Sequence, residues 1–244
     1  MEMKRTRKRQ GNKDAKTMNR YAISDIHGCS KTFRYMVEQE LKLKTYDKLY
    51  LLGDYIDRGP DSKGVIDFIL ELREANFQVI TLCGNHEDLM LDARKDPEYP
   101  EMWLLNGGIE TLKSFETLSL EDIPDKYWQF LDQLQMYVEL DDYLLVHAGF
   151  DFSHDYPFDD TYAMLWIRDF EPDLKMMGGR RIVHGHTPTY LTEIAASVKK
   201  PVSDVINIDG GCVFTSRLGY LTALNLDTLE LHSLKNREDA DTYA

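Results

Sequence analysis

Cysteine is scarce in this chain: Cys29, Cys83 and Cys212 are the three among 244 residues, and none forms a CxxC pair. An odd, small number fits a reducing cytosol better than a disulfide framework. Long apolar runs are absent as well. No stretch reaches the roughly 18 residues that mark a membrane-spanning helix. The basic N-terminus is followed by no apolar segment, so it does not read as a secretory signal. No internal repeat, low-complexity linker or second domain is visible. Together these absences predict a cytoplasmic protein with one domain over 19–244, large enough for a substantial core.

Positive charge is scarce outside one place. Residues 1–20 hold eight Lys or Arg and two acids, a net of +6, whereas the whole chain carries −13, leaving −19 for the remainder. That balance argues against a nucleic-acid-binding body, whose phosphate-facing surface is normally basic. The tail over 1–18 has almost no apolar residues and is expected to be disordered on its own. It reads as a solvated extension, with loose contact to RNA or an acidic partner as the alternative. Met18, just before the first apolar strand, leaves a later start open.

What is present is an ordinary globular composition, with 43% hydrophobic and 29% charged residues. Tyr21 to Ser24 reads as a strand and Lys31 to Leu43 as a helix. Lys48 to Leu52 is a second buried strand. Residues 61–75 form a helix with Val65, Ile66, Ile69, Leu70 and Leu72 on its apolar face and Asp61 or Ser62 as its cap. A third strand runs from Phe77 to Leu82. This β-α-β-α-β order implies parallel strands with helical crossovers. The stretch 86–135 is mostly helical and aromatic, and strands return at Tyr143 to Val146, Arg181 to Val183 and Val205 to Ile208. Tyr220 to Leu226 and Leu229 to Leu234 read as a hairpin turning at Asp227-Thr228.

Each buried strand runs into a cluster of metal-type ligands. Ser24-Asp25-Ile26-His27-Gly28 follows the first strand, Gly53-Asp54-Tyr55-Ile56-Asp57-Arg58-Gly59 the second and Gly84-Asn85-His86-Glu87 the third. His147-Ala148-Gly149 and His184-Gly185-His186-Thr187 repeat the pattern later. Any one of these alone is usually a turn. Five together, at the carboxyl ends of sheet strands and each beside a glycine, point to one cleft. Two Asp (Asp25, Asp54), one Asn (Asn85) and three His (His27, His147, His186) are oxygen and nitrogen donors without thiolate. That set suits two Mn, Fe, Zn, Co or Ni ions over Ca or a structural zinc. Asp54 is the carboxylate expected to bridge ions roughly 3.5–4 Å apart.

These motifs resemble those of the phosphoprotein phosphatase family of metallophosphoesterases, over about residues 20–226. The likeness is strongest to bacterial and phage-lambda-type serine/threonine phosphatases and extends to symmetrical diadenosine tetraphosphatases. GDxxDRG and GNHE carry it. His186 is followed by Thr187-Pro188, where nucleases of the wider superfamily carry a second His, and Ser24 stands where Gly is common. The resemblance implies a calcineurin-like α/β fold, a four-layer α/β/β/α sandwich of two mixed sheets flanked by helices. It implies that Asp25 and His27, with bridging Asp54, hold the first metal, and that Asn85, His147 and His186 complete the second, with Mn favoured. It also implies a metal-bridging hydroxide as nucleophile, His86 as general acid oriented by Asp57, and Arg58 as a phosphate contact. Arg168, in Leu165-Trp166-Ile167-Arg168, resembles the family's second phosphate-binding arginine.

Several residues carry two readings. His184 matches no ligand motif and reads as a packed neighbour of the site. Asn106-Gly107-Gly108 resembles a segment at the active-site rim and also suits a plain turn between helices. Trp103, Tyr127, Trp128 and Trp166 read as core, and Cys29 and Cys83 as small packed residues, with metal-catalysed oxidation the alternative. The leading function is hydrolysis of phosphoserine and phosphothreonine in a partner protein. The alternative is hydrolysis of diadenosine tetraphosphate or another nucleoside polyphosphate, selected by the 95–135 insert. A non-catalytic binding module would show gaps among the ligands or loss of His86 and Asp57, and none is missing.

Overall fold

The computed structural model describes residues 17–96, 100–200 and 204–238. The basic tail expected to be disordered lies, through residue 16, outside them. The first strands are β1 (Arg20–Ile23), β2 (Lys48–Leu51) and β3 (Gln78–Thr81). Next come β4 (Tyr137–Glu139), β5 (Tyr143–Val146), β6 (Arg181–His184) and β7 (Val205–Asn207). A hairpin of β8 (Tyr220–Asn225) and β9 (Leu231–Lys235) completes the set. They form two sheets, ordered β3-β2-β1-β8-β9 and β4-β5-β6-β7. As the alternation of strands and helices predicts, β1, β2 and β3 pair in parallel, and so do β5, β6 and β7. β8 runs antiparallel to β1 and β4 antiparallel to β5, so both sheets are mixed.

Side-chain alternation along the strands builds the layers. Ala22 sits between Tyr50 and Leu224 in register, and these three face the second sheet. They meet Tyr143, Leu145, Val183 and Ile206, which close the space between the sheets. The alternate residues Ile23, Leu49, Leu51 and Ala223 face outward into the largest apolar cluster. That cluster is covered by helices α1 (Ser30–Tyr35), α2 (Ser62–Glu74), α3 (Asn85–Lys95), α4 (Glu101–Trp103), α5 (Ile109–Ser114) and α6 (Asp125–Leu131). On the far face of the second sheet, Leu144, Val146 and Ile182 pack on Phe150, Met177 and Met164 of α7 (Thr161–Trp166). A last helix, α8 (Leu191–Lys199), tucks Ile194 and Val198 against the edge of the inter-sheet core.

Two local details follow from the chain chemistry. Asp61 caps α2, its carboxylate accepting the Gly64 N–H at 2.8 Å. The first helix is shorter than the expected Lys31 to Leu43: after Tyr35 the chain widens into a π turn over Met36–Glu40. The Leu41 N–H bonds the Met36 carbonyl five residues back at 2.9 Å. That wider turn lets Met36, Val37, Leu41 and Leu43 all reach the same core. The hairpin turns where expected, with the Asn225 side chain accepting the N–H groups of Asp227 and Thr228. Among the described residues, no helix is long and apolar enough to cross a membrane.

Candidate metal centre and active site

The loops leaving β1, β2, β3, β5 and β6 converge at one end of the paired sheets. Many of the residues there hold left-handed backbone: Asp25 (φ 52), His27 (φ 44), Asp54 (φ 54), Asp57 (φ 70), Arg58 (φ 68) and His186 (φ 69). For residues with a side chain this costs roughly 1–3 kcal/mol each and persists only where the surroundings fix it. Two glycines make room. A Cβ on Gly84 would fall on Asp54 Oδ1, and one on Gly185 would fall on Ser24 Oγ and Asp25 Oδ2.

Asp54 lies between two histidines. Its Oδ2 is 3.4 Å from His27 Nε2 and its Oδ1 is 3.5 Å from His147 Nε2. Asn85 Oδ1 is 3.0 Å from both His147 Nε2 and His186 Nδ1, and those two nitrogens are 3.2 Å apart. Behind them, His27 Nδ1 meets the Ile56 carbonyl at 2.9 Å and His147 Nδ1 meets the Leu52 carbonyl at 2.8 Å. A carbonyl only accepts, so each Nδ1 carries the proton and each Nε2 presents a lone pair to the centre. Burial and then the Arg58 charge push His27 well below the usual histidine range. Burial, His147 and Arg168 push His186 down to about 3. Burial, and after it the Asp25 carboxylate, pushes Asp54 well above the usual carboxylate range. Neutral imidazoles and crowded carboxylates with converging lone pairs form a centre short of positive charge. Divalent cations fit it.

The other expected residues fall around this centre. Asp25 accepts the His186 N–H at 3.0 Å and the Ser24 hydroxyl. Two of the three tight donor groups among the described residues, His27–Asp54–His86 and Asp54–His147–His186, lie here, with Asp25 in neither; the third, Asp151–His154–Asp160, lies apart from these residues. Arg58 is half-buried, its Nη1 2.7 Å from His27 Nε2 and its guanidinium 5.6 Å from the Phe214 ring centre. Arg168 is exposed on the loop after α7, near enough for its charge to act on His186. His184 packs edge-on against Phe170 with ring centres 5.7 Å apart, and burial pushes it down to about 4.

His86 and Asp57 form a buried pair. His86 Nδ1 is 2.7 Å from Asp57 Oδ2, and neither residue has measurable exposure. Among the described residues His86 Nε2 has no hydrogen-bond partner, and it lies 4.0 Å from Asp54 Oδ2. Burial raises Asp57 well above the usual carboxylate range, against the pull of hydrogen bonds from Thr111 and Trp103.

Four contributors were given no role in the site from the sequence. Glu87 accepts the backbone N–H groups of Asp54, Tyr55 and Gly84 at 2.8, 2.8 and 2.9 Å, fixing the β2 loop. Its signal is an acid at the third position of a helix that starts at a glycine, a capping-box position. Asp209 is buried, and Asp25 adds to burial in raising its pKa. It follows β7 and precedes Gly210-Gly211, the same strand-then-Asp pattern as the other clusters. Trp103 and Thr111 reach Asp57 from α4 and α5, and no local pattern announces that contact. Trp103, Tyr127 and Trp128 are buried in the core as expected. Trp166 is not. It is half-buried, its ring edge-on to His186 at 6.3 Å, because α7 ends beside the β6 loop.

The profile of calcineurin-like phosphoesterases matches residues 18–217. The chain is 35% identical over 133 residues to a symmetrical bis(5'-nucleosyl)-tetraphosphatase of Nitrosospira multiformis. That match covers 53% of this chain and 42% of the relative, so it spans less than half the relative's length. It is 28% identical over 209 residues to serine/threonine-protein phosphatase 1 of Salmonella typhimurium, covering 81% of this chain and 88% of the relative. Among solved structures, a cold-active protein-tyrosine phosphatase of a psychrophilic Shewanella superposes with a TM-score of 0.61 at 16% identity. That superposition covers 90% of this chain and 80% of the other, and it is a likeness of fold.

Proposed function

The chain belongs to the calcineurin-like phosphoesterase family of metal-dependent phosphate-ester hydrolases, and from that premise we propose that its substrates are phosphoserine and phosphothreonine in proteins. In this reading Asp25, His27, Asp54, Asn85, His147 and His186 hold two divalent ions, with manganese favoured. Such ions supply charge to the phosphoryl oxygens and activate water near neutral pH. Arg58 and Arg168 bind the remaining phosphoryl oxygens, a task for which guanidinium geometry is suited.

The observation that carries the reading is the Asp57–His86 pair, with His86 Nε2 left without a partner among the described residues. A serine or threonine alkoxide is a poor leaving group and needs a proton as the P–O bond breaks. A nucleotide phosphate leaves as a stable anion and needs one far less. A buried, oriented imidazole is therefore of most use on an alkyl ester, where general acid catalysis is typically worth about 10²–10⁴-fold. In this reading the imidazolium form of His86 gives its Nε2 proton to the leaving oxygen and is left neutral, while Asp57 accepts the Nδ1–H hydrogen bond and holds the ring.

A second reading, hydrolysis of a nucleoside polyphosphate, has its own observation. Tyr162 stacks over Trp166 with ring centres 6.4 Å apart and planes 22° apart, beside His186. An exposed tyrosine stacked on a half-buried tryptophan next to a phosphate site can stack a base. One assay separates the two. Metal-stripped protein restored with Mn²⁺ is offered a phosphoserine/phosphothreonine peptide and diadenosine tetraphosphate at equal concentration, with His86→Asn as control. Preference for the peptide is expected, and preference for the dinucleotide would replace the first reading by the second.

A further inference from the structure

The segment from α4 to α5 contributes no metal donor, yet it grips the Asp57-Arg58 dipeptide at several points. Trp103 Nε1 is 3.1 Å from each Asp57 carboxylate oxygen. The Thr111 hydroxyl donates to Asp57 Oδ1 at 2.6 Å and accepts the Asp57 N–H at 3.0 Å. The Ser62 hydroxyl adds a second acceptor for that N–H and lies 2.8 Å from Thr111 Oγ1. One residue on, the Arg58 N–H donates to the Gly107 carbonyl at 3.3 Å. Asp57 and Arg58 are consecutive left-handed residues, a conformation the chain does not hold without outside support. The indole is itself fixed, because Gly108 packs where a side chain would collide with its ring.

Resting on the reading of His86 as general acid, we propose that Trp103 and Thr111 are positioning residues that aim the imidazole through Asp57. The carboxylate has two oxygens. Thr111 fixes one, the indole N–H bridges both, and the only direction left for Oδ2 is His86 Nδ1. With Nδ1 protonated and held, the second nitrogen faces the reacting phosphate. Removing either donor leaves Asp57 free to rotate, and the imidazole loses its aim without losing its place in the core. Substrate binding and metal content depend on other residues, so the loss falls on the chemical step. It falls there only when the leaving group needs a proton.

The test uses Trp103→Phe, Thr111→Val and the conservative Thr111→Ser, each restored with Mn²⁺. Every variant is assayed on a phosphoserine peptide and on 2,4-dinitrophenyl phosphate, whose leaving group departs unprotonated. Trp103→Phe and Thr111→Val are expected to lower kcat on the peptide about tenfold or more, a part of what a general acid supplies. KM and Mn content stay unchanged, activity on dinitrophenyl phosphate changes by less than about twofold, and Thr111→Ser regains most of the peptide rate. Equal losses on both substrates, or no loss on the peptide, would overturn the proposal. His86→Asn in the same assay separates the two levels. If it shows no selective loss on the peptide, the general-acid reading itself fails. If it does and the two donors do not, only their role fails.

Discussion

His86 Nδ1 and Asp57 Oδ2 stand 2.7 Å apart with both side chains sealed from solvent. A hydrogen bond in such a place is shielded from competing water, so the pair behaves as a unit. In the proposed reading His86→Asn removes the proton donor while leaving the proposed ligand set intact. Turnover of a phosphoserine peptide is expected to fall about 10²–10⁴-fold with metal content unchanged, measured by steady-state kinetics beside elemental analysis.

Gly107 holds φ 110 against Arg58, and a Cβ there would come within 2.7 Å of the Arg58 nitrogen. Gly107→Ala is therefore expected to shift Arg58 as well as to strain its own backbone. Inhibition by inorganic phosphate should weaken several-fold, alongside a stability loss of roughly 1–3 kcal/mol. Phosphate inhibition unchanged from wild type would mean that Arg58 does not bind the phosphoryl group.

The inter-sheet core places Leu145 with no exposure between Tyr50, Val183 and their neighbours. Leu145→Ala leaves a cavity that two sheets cannot collapse to fill. A loss of about 2–5 kcal/mol is expected, read as a lower urea midpoint at an unchanged slope.

Asp67 joins α2 to α6, accepting Lys63 Nζ at 2.7 Å, Lys126 Nζ at 2.8 Å and the Tyr127 hydroxyl at 2.9 Å. Burial by itself would raise this carboxyl, but the hydrogen bonds from Lys126, Lys63 and Tyr127 outweigh it and hold the pKa below the ordinary 3.8. A carboxylate depressed on folding stabilises the protein fully above its unfolded value, and that contribution fades as pH falls through the folded one. Asp67→Asn should therefore melt below wild type at neutral pH, with the gap closing in acid below 3.8. Thermal melts across that range check the sign, and a gap that widened in acid would reverse it.

The clusters that converge on the candidate centre were legible in sequence because strand-end chemistry is local: a short buried run, then Asp, His or Asn beside Gly. The parallel pairing of β1, β2 and β3 followed from the same runs and from the helical crossovers between them. The role of the insert was not legible. Trp103 and Thr111 lie 46 and 54 residues from Asp57, and only tertiary packing brings them to it. The rim-like reading of Asn106-Gly107-Gly108 gains support from the Gly107 contact with Arg58. Trp166 read as core together with the other large aromatics, yet α7 stops where the loops of the candidate centre begin. The π turn after Tyr35 also escaped the helical period, since one wider turn leaves the spacing of apolar residues nearly unchanged.

The most direct measurement is metal content by elemental analysis after Mn²⁺ reconstitution, in wild type and in Asp54→Asn, with His86→Asn as a folded control. Asp54 turns one oxygen toward His27 and the other toward His147, so neutralising it weakens both halves of the centre together. Wild type and His86→Asn are expected to hold about two ions per chain, and Asp54→Asn to lose most of both. An Asp54→Asn protein that kept both ions would contradict a shared, Asp54-bridged metal centre.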